Sequence, residues 1–262
     1  MSLNFMKVGR PIAKIKGGKY DGKIIYVDSD VKTANNNEND KIEGIPTFTT
    51  LKLPSDAKFQ PIPDNNKERD CHYITGASGS GKSTWTKKFV KEYMNTYKDK
   101  NPVYLFSRKK EDENLDDVKP KRIKIGENLI QDPLSMEHFK NSLVLFDDTD
   151  IIKPKILRDT VDHIRDEILQ GGRSINVSCI ITNHNFTGRE LKTVLNECHT
   201  ITVFPANYNR GMKYLLSDYL GLDKKSITRI RKAPSRWVTI YKNFPMVILT
   251  ENEIWLAVND MD

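Results

Sequence analysis

One stretch of the chain combines glycines, a lysine and hydroxyl side chains at a spacing that suits phosphate binding. Residues 76–84 read Gly-Ala-Ser-Gly-Ser-Gly-Lys-Ser-Thr and fit the pattern G-x-x-x-x-G-K-[ST] at every fixed position. Glycines let successive backbone N–H groups curl around a phosphate, where side chains would block the approach. Lys82 supplies positive charge for the β- and γ-phosphates, and the Ser83 hydroxyl is a ligand for Mg²⁺. We therefore predict a nucleoside triphosphate site. Its residues are Gly76, Ala77, Ser78, Gly79, Ser80, Gly81, Lys82, Ser83 and Thr84.

The sequence on either side of this loop favours the same interpretation. A short β-branched and aromatic run, 71–75, leads into it. After it, Trp85, Phe89 and Tyr93 recur at i, i+4 and i+8, which predicts a helix that begins near Lys82. The positive N-terminal end of that helix would face the phosphates.

Two carboxylates follow a second apolar run. The sequence Ser-Leu-Val-Leu-Phe-Asp-Asp at 142–148 predicts a buried strand that ends in Asp147 and Asp148. Asp147 is predicted to hold the water shell of Mg²⁺, with Ser83 as the second metal ligand. Asp148 is predicted to orient or deprotonate the attacking water, and the alternative is a helix N-cap or loop carboxylate.

A third strand, predicted at 177–182, ends in Asn183 and His184. Ligands of open α/β sheets bind at the carboxyl ends of the strands, so these polar groups and the two aspartates are expected at one edge. An amide at Asn183 can bridge the γ-phosphate and the water, and His184 is the alternative. Lys82 and Asp147 are 65 residues apart with a strand predicted at 103–107 between them, an arrangement typical of motor-type ATPases rather than of small kinases.

The alternation of strands and helices predicts an α/β fold with a mainly parallel sheet wrapped by helices. An amphipathic helix is predicted at 155–170, and the remaining predicted strands are 199–204, 237–241 and 246–250, the last two at the sheet edge. Two domains are predicted. The first, residues 1–60, is predicted to be an extension with a β-hairpin at 7–27 and a polar loop at 33–44. The second, residues 61–262, is predicted to be the ATPase domain. The proline-containing segment 53–64, where the two meet, is predicted to be an irregular lead-in to that domain.

The composition is typical of an intracellular protein without a membrane span. The chain has 262 residues, of which 29% are charged, and no apolar run approaches the length of a membrane span. The N-terminus lacks the apolar region of a signal peptide. Cys71, Cys179 and Cys198 form no C-x-x-C pair and are predicted to be reduced, buried thiols of an intracellular protein.

Positive charge is concentrated in residues 208–242. This segment holds nine lysines and arginines and two aspartates, an excess equal to the chain's net charge of +7. Localised positive charge interleaved with aromatic residues suits a nucleic-acid backbone, and the alternative is a solvated helix face. The candidate DNA-binding residues are Arg229, Arg231 and Lys232.

Three stretches together resemble the core motifs of the FtsK–HerA superfamily of P-loop ATPases. They are the glycine-rich loop at 76–84, Leu-Val-Leu-Phe-Asp-Asp at 143–148 and Gly-Gly-Arg-Ser-Ile-Asn-Val-Ser-Cys-Ile-Ile-Thr-Asn-His at 171–184. Within the superfamily the chain is most similar to the genome-packaging ATPases of large eukaryotic DNA viruses and virophages, the poxvirus-type packaging proteins. The resemblance covers roughly residues 71–249.

This resemblance implies a RecA-like ATPase that uses ATP and Mg²⁺ and works as a homo-oligomeric ring, a pentamer or hexamer. It implies the pumping of double-stranded DNA into a capsid, with capsid or portal partners, in the host cytoplasm or the virion. By match, Lys82 and Ser83 carry the Walker A roles, Asp147 and Asp148 the Walker B roles, and Asn183 the sensor role. Arg173 matches an arginine finger. The chain has Asp where many members have a catalytic Glu, and Asn where many have a Gln sensor, so both side chains are one methylene shorter.

The position of Arg173 predicts how such a finger would work. It precedes the third strand, whereas the nucleotide of the same chain lies beyond that strand's carboxyl end, about 20 Å away at ~3.3 Å per residue. Arg173 is therefore expected to act on the nucleotide of a neighbouring subunit, and the alternative is an ion pair with Asp166 or Glu167.

The alternative for the whole chain is a nucleotide-gated assembly or scaffold protein without motor activity.

Overall fold

The computed structural model describes residues 1–28, 47–65 and 69–257. Within these ranges the strands are β1 (Ser2–Asn4), β2 (Arg10–Lys16), β3 (Ile24–Asp28), β4 (Thr50–Lys52), β5 (Lys58–Pro61), β6 (Cys71–Thr75), β7 (Val103–Ser107), β8 (Lys121–Ile123), β9 (Ser142–Asp147), β10 (Val177–Asn183), β11 (Thr200–Val203), β12 (Val238–Tyr241), β13 (Val247–Thr250) and β14 (Glu253–Leu256). The α-helices are α1 (Lys82–Tyr97), α2 (Glu113–Asp116), α3 (Glu127–Gln131), α4 (Lys155–Gly171), α5 (Lys192–Glu197), α6 (Arg210–Tyr214) and α7 (Lys224–Lys232).

Ten of the described strands form one mixed sheet in the order β4-β14-β13-β12-β11-β6-β10-β9-β7-β8. Strands β11, β6, β10, β9, β7 and β8 run parallel. The other four are antiparallel additions on the β11 side. The strand that leads into the glycine-rich loop, β6, lies between β10 and β11 at the centre of this sheet. The predicted α/β class with a mainly parallel sheet is confirmed.

The central strands are apolar on both faces because each face is covered. Side chains from alternate positions of β9 belong to two different apolar clusters, with Val144 and Phe146 in one and Leu143 and Leu145 in the other. Helix α4 packs into the first cluster and α1 into the second. Strands buried on both faces read as continuous apolar runs, which is why their sequences predicted them well.

A second, four-stranded antiparallel sheet has the order β1-β3-β2-β5. Its β2 and β3 are the two halves of the predicted hairpin at 7–27. The sheet packs on the α1 side of the large sheet, where its Ile12, Ile15 and Ile25 share an apolar cluster with Trp85 and Phe89. The division of the chain at residue 60 stays a prediction.

Several elements differ from the predictions. The segment 53–64 contains β5, which pairs with β2 and so acquires its structure from a distant partner. The short helix α2 lies in the densely charged segment 109–121, whose composition is typical of an exposed loop. Strands β14 and β4 extend the sheet beyond β13, so the 246–250 strand is not at the edge. The predicted polar loop at 33–44 lies outside the described residues.

The three cysteines are buried and free of disulfides, as predicted. Burial raises the pKa of the Cys71 thiol to about 12, so this side chain acts as a packing group rather than as a nucleophile. Among the described residues, no helix is both long and apolar enough to span a bilayer.

Candidate functional site

The glycine-rich loop connects β6 to α1, as predicted. Gly79 and Gly81 have φ values of +73° and +115°, which side chains other than glycine's adopt only with strain. Helix α1 begins with Trp85 N donating to Gly81 O at 2.9 Å. Gly81 has no side chain with which to cap the helix, so the first N–H groups of α1 are available to an anion.

The two predicted carboxylates lie beside this loop and are held by one hydroxyl. Asp147 is the last residue of β9, and Asp148 follows it in a left-handed conformation with φ of 46°. Thr182 Oγ1, on the neighbouring β10, lies 2.9 Å from Asp147 Oδ1 and 3.4 Å from Asp148 Oδ1. Ser107 Oγ, at the end of β7, donates to Asp147 Oδ2 at 3.1 Å. Three parallel strands thus build one acidic site at their carboxyl ends.

Lys82 joins the loop to the carboxylates. Its side chain is largely buried, and Nζ lies 3.0 Å from Gly76 O and 3.6 Å from Asp148 Oδ1. Burial lowers the pKa of Lys82, and the charges of Asp148 and Asp147 oppose that shift. Burial raises the pKa of Asp147, and the adjacent charge of Asp148 raises it further. The two carboxylates therefore offset part of the effect of burial on the charge of Lys82.

His184 and Asn183 occupy different places. His184 Nδ1 lies 3.3 Å from Lys82 Nζ, and its Nε2 lies 3.3 Å from Asp148 Oδ2. The side-chain oxygen of Asn183 accepts from the backbone N–H of Asn185 at 2.8 Å, and only 4% of the residue is exposed. The structure thus brings the histidine ring, rather than the Asn183 amide, against the lysine and the aspartate. The sensor assignment stays a prediction.

Lys109 is a residue of this site that sequence reasoning missed. Its Nζ lies 3.8 Å from Asp147 Oδ2 and 3.6 Å from Asp148 Oδ2. Burial alone would lower its pKa, but the charges of Asp147, Asp148 and Asp112 outweigh burial and raise it. The densely charged segment 109–121 has the composition of an exposed loop, and such a segment gives no signal that one lysine reaches the strand ends.

The donor set fits Mg²⁺. The Ser83 hydroxyl and the Asp147 carboxylate supply hard oxygen ligands, the type that this cation prefers. Ser83 Oγ also lies 3.3 Å from Asp112 Oδ2, so a further carboxylate stands next to the proposed metal ligand. Ser83 and Asp147 are the residues that would hold the metal, and Asp112 would orient the serine hydroxyl.

Arg173 is far from this edge. It is exposed in the turn between α4 and β10, where its carbonyl accepts from Asn176 N at 3.3 Å. The seven residues of β10 separate that turn from the carboxyl edge by roughly 20 Å at ~3.3 Å per residue. The structure does not bring Arg173 to the other predicted catalytic residues of its own chain.

The three candidate DNA-binding residues have different surroundings. Arg229 Nη2 lies 2.8 Å from Glu253 Oε1, and its guanidinium lies 4.1 Å from the centre of the Trp255 ring. The guanidinium of Arg231 lies 5.3 Å from the centre of the Tyr208 ring, and Lys232 is exposed at the end of α7. Arg229 therefore already contacts two side chains of the fold. Arg231 and Lys232 are exposed and are the better candidates for contact with DNA.

Arg236 contacts the glycine-rich loop directly, which sequence reasoning also missed. Its Nε donates to Ser80 O at 3.0 Å, and Nη2 lies 3.4 Å from Gly79 O. A Cβ atom at Gly81 would lie 3.0 Å from the same Nε, so a side chain at that position would require the arginine to shift. The backbone N of Arg236 donates to Glu251 Oε2 at 3.0 Å, which anchors it to the turn between β13 and β14.

Comparison with known families gives one match to part of the chain. A family model described as RNA helicase matches residues 72–154, from β6 to the residue before α4. The matched range contains the glycine-rich loop and both aspartates but covers less than half of the chain.

A relative and two solved structures match more of the chain. "Uncharacterized protein V3" of the Sputnik virophage is 41% identical over 253 residues, which covers 95% of this chain and 96% of that protein. The crystal structure of B204, the DNA-packaging ATPase of Sulfolobus turreted icosahedral virus, matches with a TM-score of 0.50 and 14% identity, covering 74% of this chain and 100% of that one. The pCW3 conjugation coupling protein TcpA, in its monomer form with ATPγS, matches with a TM-score of 0.50 and 11% identity over 92% of this chain and 77% of that one. At these identities the two structures establish the fold alone.

The contact between Arg236 and the loop leads to a prediction. Arg236→Ala removes the donor to two loop carbonyls, and we expect the dissociation constant for a fluorescent ATP analogue to rise about tenfold, which matches the lower end of ~1.5–3 kcal/mol for hydrogen bonds to charged groups. The control is Arg231→Ala, which removes an arginine that stacks on Tyr208. Equal affinity in the two variants would mean that Arg236 does not support the loop.

Proposed function

The chain belongs to one family with protein V3 of the Sputnik virophage, and we propose that it is a viral genome-packaging ATPase that couples ATP hydrolysis to the translocation of double-stranded DNA. The observation that carries the proposal is the cluster of Lys82, Asp147, Asp148 and His184 beside the glycine-rich loop. The glycine-rich loop with its lysine would by itself support nucleotide binding, whereas two carboxylates next to that lysine support hydrolysis. A further support is the fold, which resembles that of the packaging ATPase B204.

In the proposed mechanism the loop N–H groups and Lys82 bind the β- and γ-phosphates. Ser83 and Asp147 would hold Mg²⁺, which would supply positive charge for the phosphate oxygens. Asp148 accepts a proton from the attacking water. We assign the orientation of that water to His184, because its ring contacts Asp148 and Lys82, and Asn183 is the second candidate for this role.

The finer assignments are also part of the proposal. We assign the chain to the poxvirus-type group of the FtsK–HerA superfamily and to a ring of five or six subunits that contacts a capsid or portal. The ring would bind DNA through the basic segment 208–242, in which Arg231 and Lys232 are exposed. The experiment that tests the proposal is ATP hydrolysis with and without duplex DNA. Nucleotide binding without hydrolysis would instead favour the assembly or scaffold alternative.

The first prediction separates binding from chemistry. Lys82→Ala removes the charge that holds the phosphates, so both ATP affinity and turnover should fall. Asp148→Asn keeps the size of the side chain but removes the base, so ATP should still bind while turnover falls about 100-fold or more. The measurements are nucleotide binding by titration and phosphate release in the same preparation.

The matched control is Asp159→Asn, which makes the same chemical change at an exposed residue of α4. It should hydrolyse ATP at the wild-type rate. If Asp148→Asn does so as well, the assignment of Asp148 as the base is wrong.

A second prediction concerns DNA. Replacing Arg231 and Lys232 together by Ala should weaken binding to duplexes of any sequence and reduce the slope of log K against log[salt] by about two, since each lost phosphate contact removes ~0.9. Arg229→Ala should instead lower the thermal unfolding midpoint, because it breaks the ion pair with Glu253 and the contact with Trp255.

The control for the double variant is Lys140→Ala combined with Lys192→Ala, two exposed lysines outside the segment. It changes the net charge equally. If both double variants lose the same affinity, the effect comes from overall charge and not from a site on α7.

A third prediction tests Arg173 as an arginine finger in trans. In a ring, the amino edge of one sheet meets the nucleotide edge of the next subunit, where an arginine stabilises the charge of the transition state. Arg173→Ala should bind ATP normally but lose turnover. Mixing it with Lys82→Ala subunits should restore part of the turnover, because an intact Arg173 then faces an intact loop.

The outcome that contradicts this assignment is specific. Loss of ATP binding in Arg173→Ala, or no recovery in mixed rings, would show that Arg173 does not act across the subunit interface. Each variant alone, at the same total concentration, is the control for residual activity.

A further inference from the structure

The side chain of Lys109 lies among three carboxylates at the mouth of the site. Its Nζ is 3.8 Å from Asp147 Oδ2, 3.6 Å from Asp148 Oδ2 and 3.6 Å from Asp112 Oδ2. The other oxygens of the aspartate pair face different partners, namely Thr182 and Lys82. One ammonium therefore interacts with the same edge of both Asp147 and Asp148.

Two hydrogen bonds hold the backbone of Lys109, whereas its side chain is partly exposed. Lys109 N donates to Ser107 Oγ at 3.2 Å, and its carbonyl accepts from Arg122 Nη1 at 2.9 Å. The side chain is 43% exposed, and its four-carbon stem can rotate without moving the loop. Ser107 also donates to Asp147, so the same residue positions the lysine and the carboxylate.

Lys109 faces Asp147, the carboxylate that would also hold a divalent cation. A metal held by Ser83 and Asp147 would place two positive charges beside the ammonium, and at a few ångströms such charges repel strongly in a partly buried site. Asp112 stands next to both candidates, since its Oδ2 accepts from Ser83 Oγ at 3.3 Å and also faces Lys109. The ammonium thus keeps one carboxylate partner after it leaves Asp147.

We propose that Lys109 competes with divalent metal for Asp147 and so keeps free metal out of the site until metal arrives together with the nucleotide. This inference rests on the proposed function, because it takes Asp147 as a metal ligand. The phosphates of the incoming nucleotide bring extra oxygens for the metal and extra negative charge for Lys109, so both cations can then be bound. Lys109 is a positioning residue in this scheme, and it sets the order in which the ligands bind.

The test measures Mn²⁺ binding to the protein without nucleotide, by calorimetry or by electron paramagnetic resonance. Wild type should bind Mn²⁺ weakly. Lys109→Met keeps the length of the stem but removes the charge, and it should bind Mn²⁺ at least tenfold more tightly. Lys109→Arg keeps the charge and should behave as wild type. The control is Lys110→Met, a change at the adjacent exposed lysine, which should leave Mn²⁺ affinity unchanged.

A combined variant locates the metal. Lys109→Met with Asp147→Asn should return Mn²⁺ affinity to the weak level, because the competing oxygen has been removed. If Lys109→Met unfolds, Lys109→Gln provides the same loss of charge. Equal Mn²⁺ affinity in wild type and in the uncharged variants would overturn the proposal.

The experiment contains no ATP, so its outcome is separate from that of the hydrolysis assay. A protein without ATPase activity can still show the effect of Lys109 on Mn²⁺ binding. Conversely, an active ATPase in which Lys109 has no effect on Mn²⁺ binding would retain the proposed function and lose only this inference.

Discussion

Two successive aspartates in a buried position repel each other, and the rest of the site is arranged around that repulsion. Asp147 and Asp148 share the hydroxyl of Thr182, and lysines approach them from two sides, Lys82 from the glycine-rich loop and Lys109 from the loop after β7. Separating like charges would be the cheapest solution in isolation. The structure instead keeps the two carboxylates adjacent and surrounds them with hydroxyl donors and lysine ammonium groups. Such clusters of interacting charged groups are typical of functional sites.

The parallel sheet makes this arrangement possible. Register pairs Thr182 with Asp147 across β10 and β9, and pairs Ser107 with Asp147 across β9 and β7. Because these strands are parallel, their polar ends meet at one edge although they are distant in sequence. Their interiors are apolar on both faces, so the strands are held rigidly by packing and the polar residues are confined to the ends. The apolar parts of these strands thus determine where the polar side chains at their ends lie.

Sequence patterns predicted the elements that are determined locally. The loop at 76–84, helix α1 and strands β7, β9 and β10 carry either a fixed motif or an unbroken apolar run, and the structure has each of them. The patterns did not predict β5, because its pairing with β2 depends on a distant segment. They likewise missed Lys109 and Arg236, whose contacts depend on the paths of charged loops for which composition favours only exposure. The sequence also cannot tell which of Asn183 and His184 contacts Lys82 and Asp148, because the structure engages the Asn183 oxygen with the backbone N–H of Asn185 and places the His184 ring against both side chains.

The small N-terminal sheet has a consequence for how the molecule unfolds. Its apolar residues do not form a core of their own but complete the layer that covers helix α1, and Tyr241 of β12 donates a hydrogen bond to Ile12 O at 2.9 Å. Lys16 of β2 also pairs with Glu92 of α1 at 2.8 Å. A chain shortened to begin after β5 would leave Trp85 and Phe89 open to water, and these two rings lie on the helix that carries Lys82. The N-terminal strands and helix α1 therefore share one apolar layer, and loss of the outer sheet would loosen the helix that begins at the glycine-rich loop.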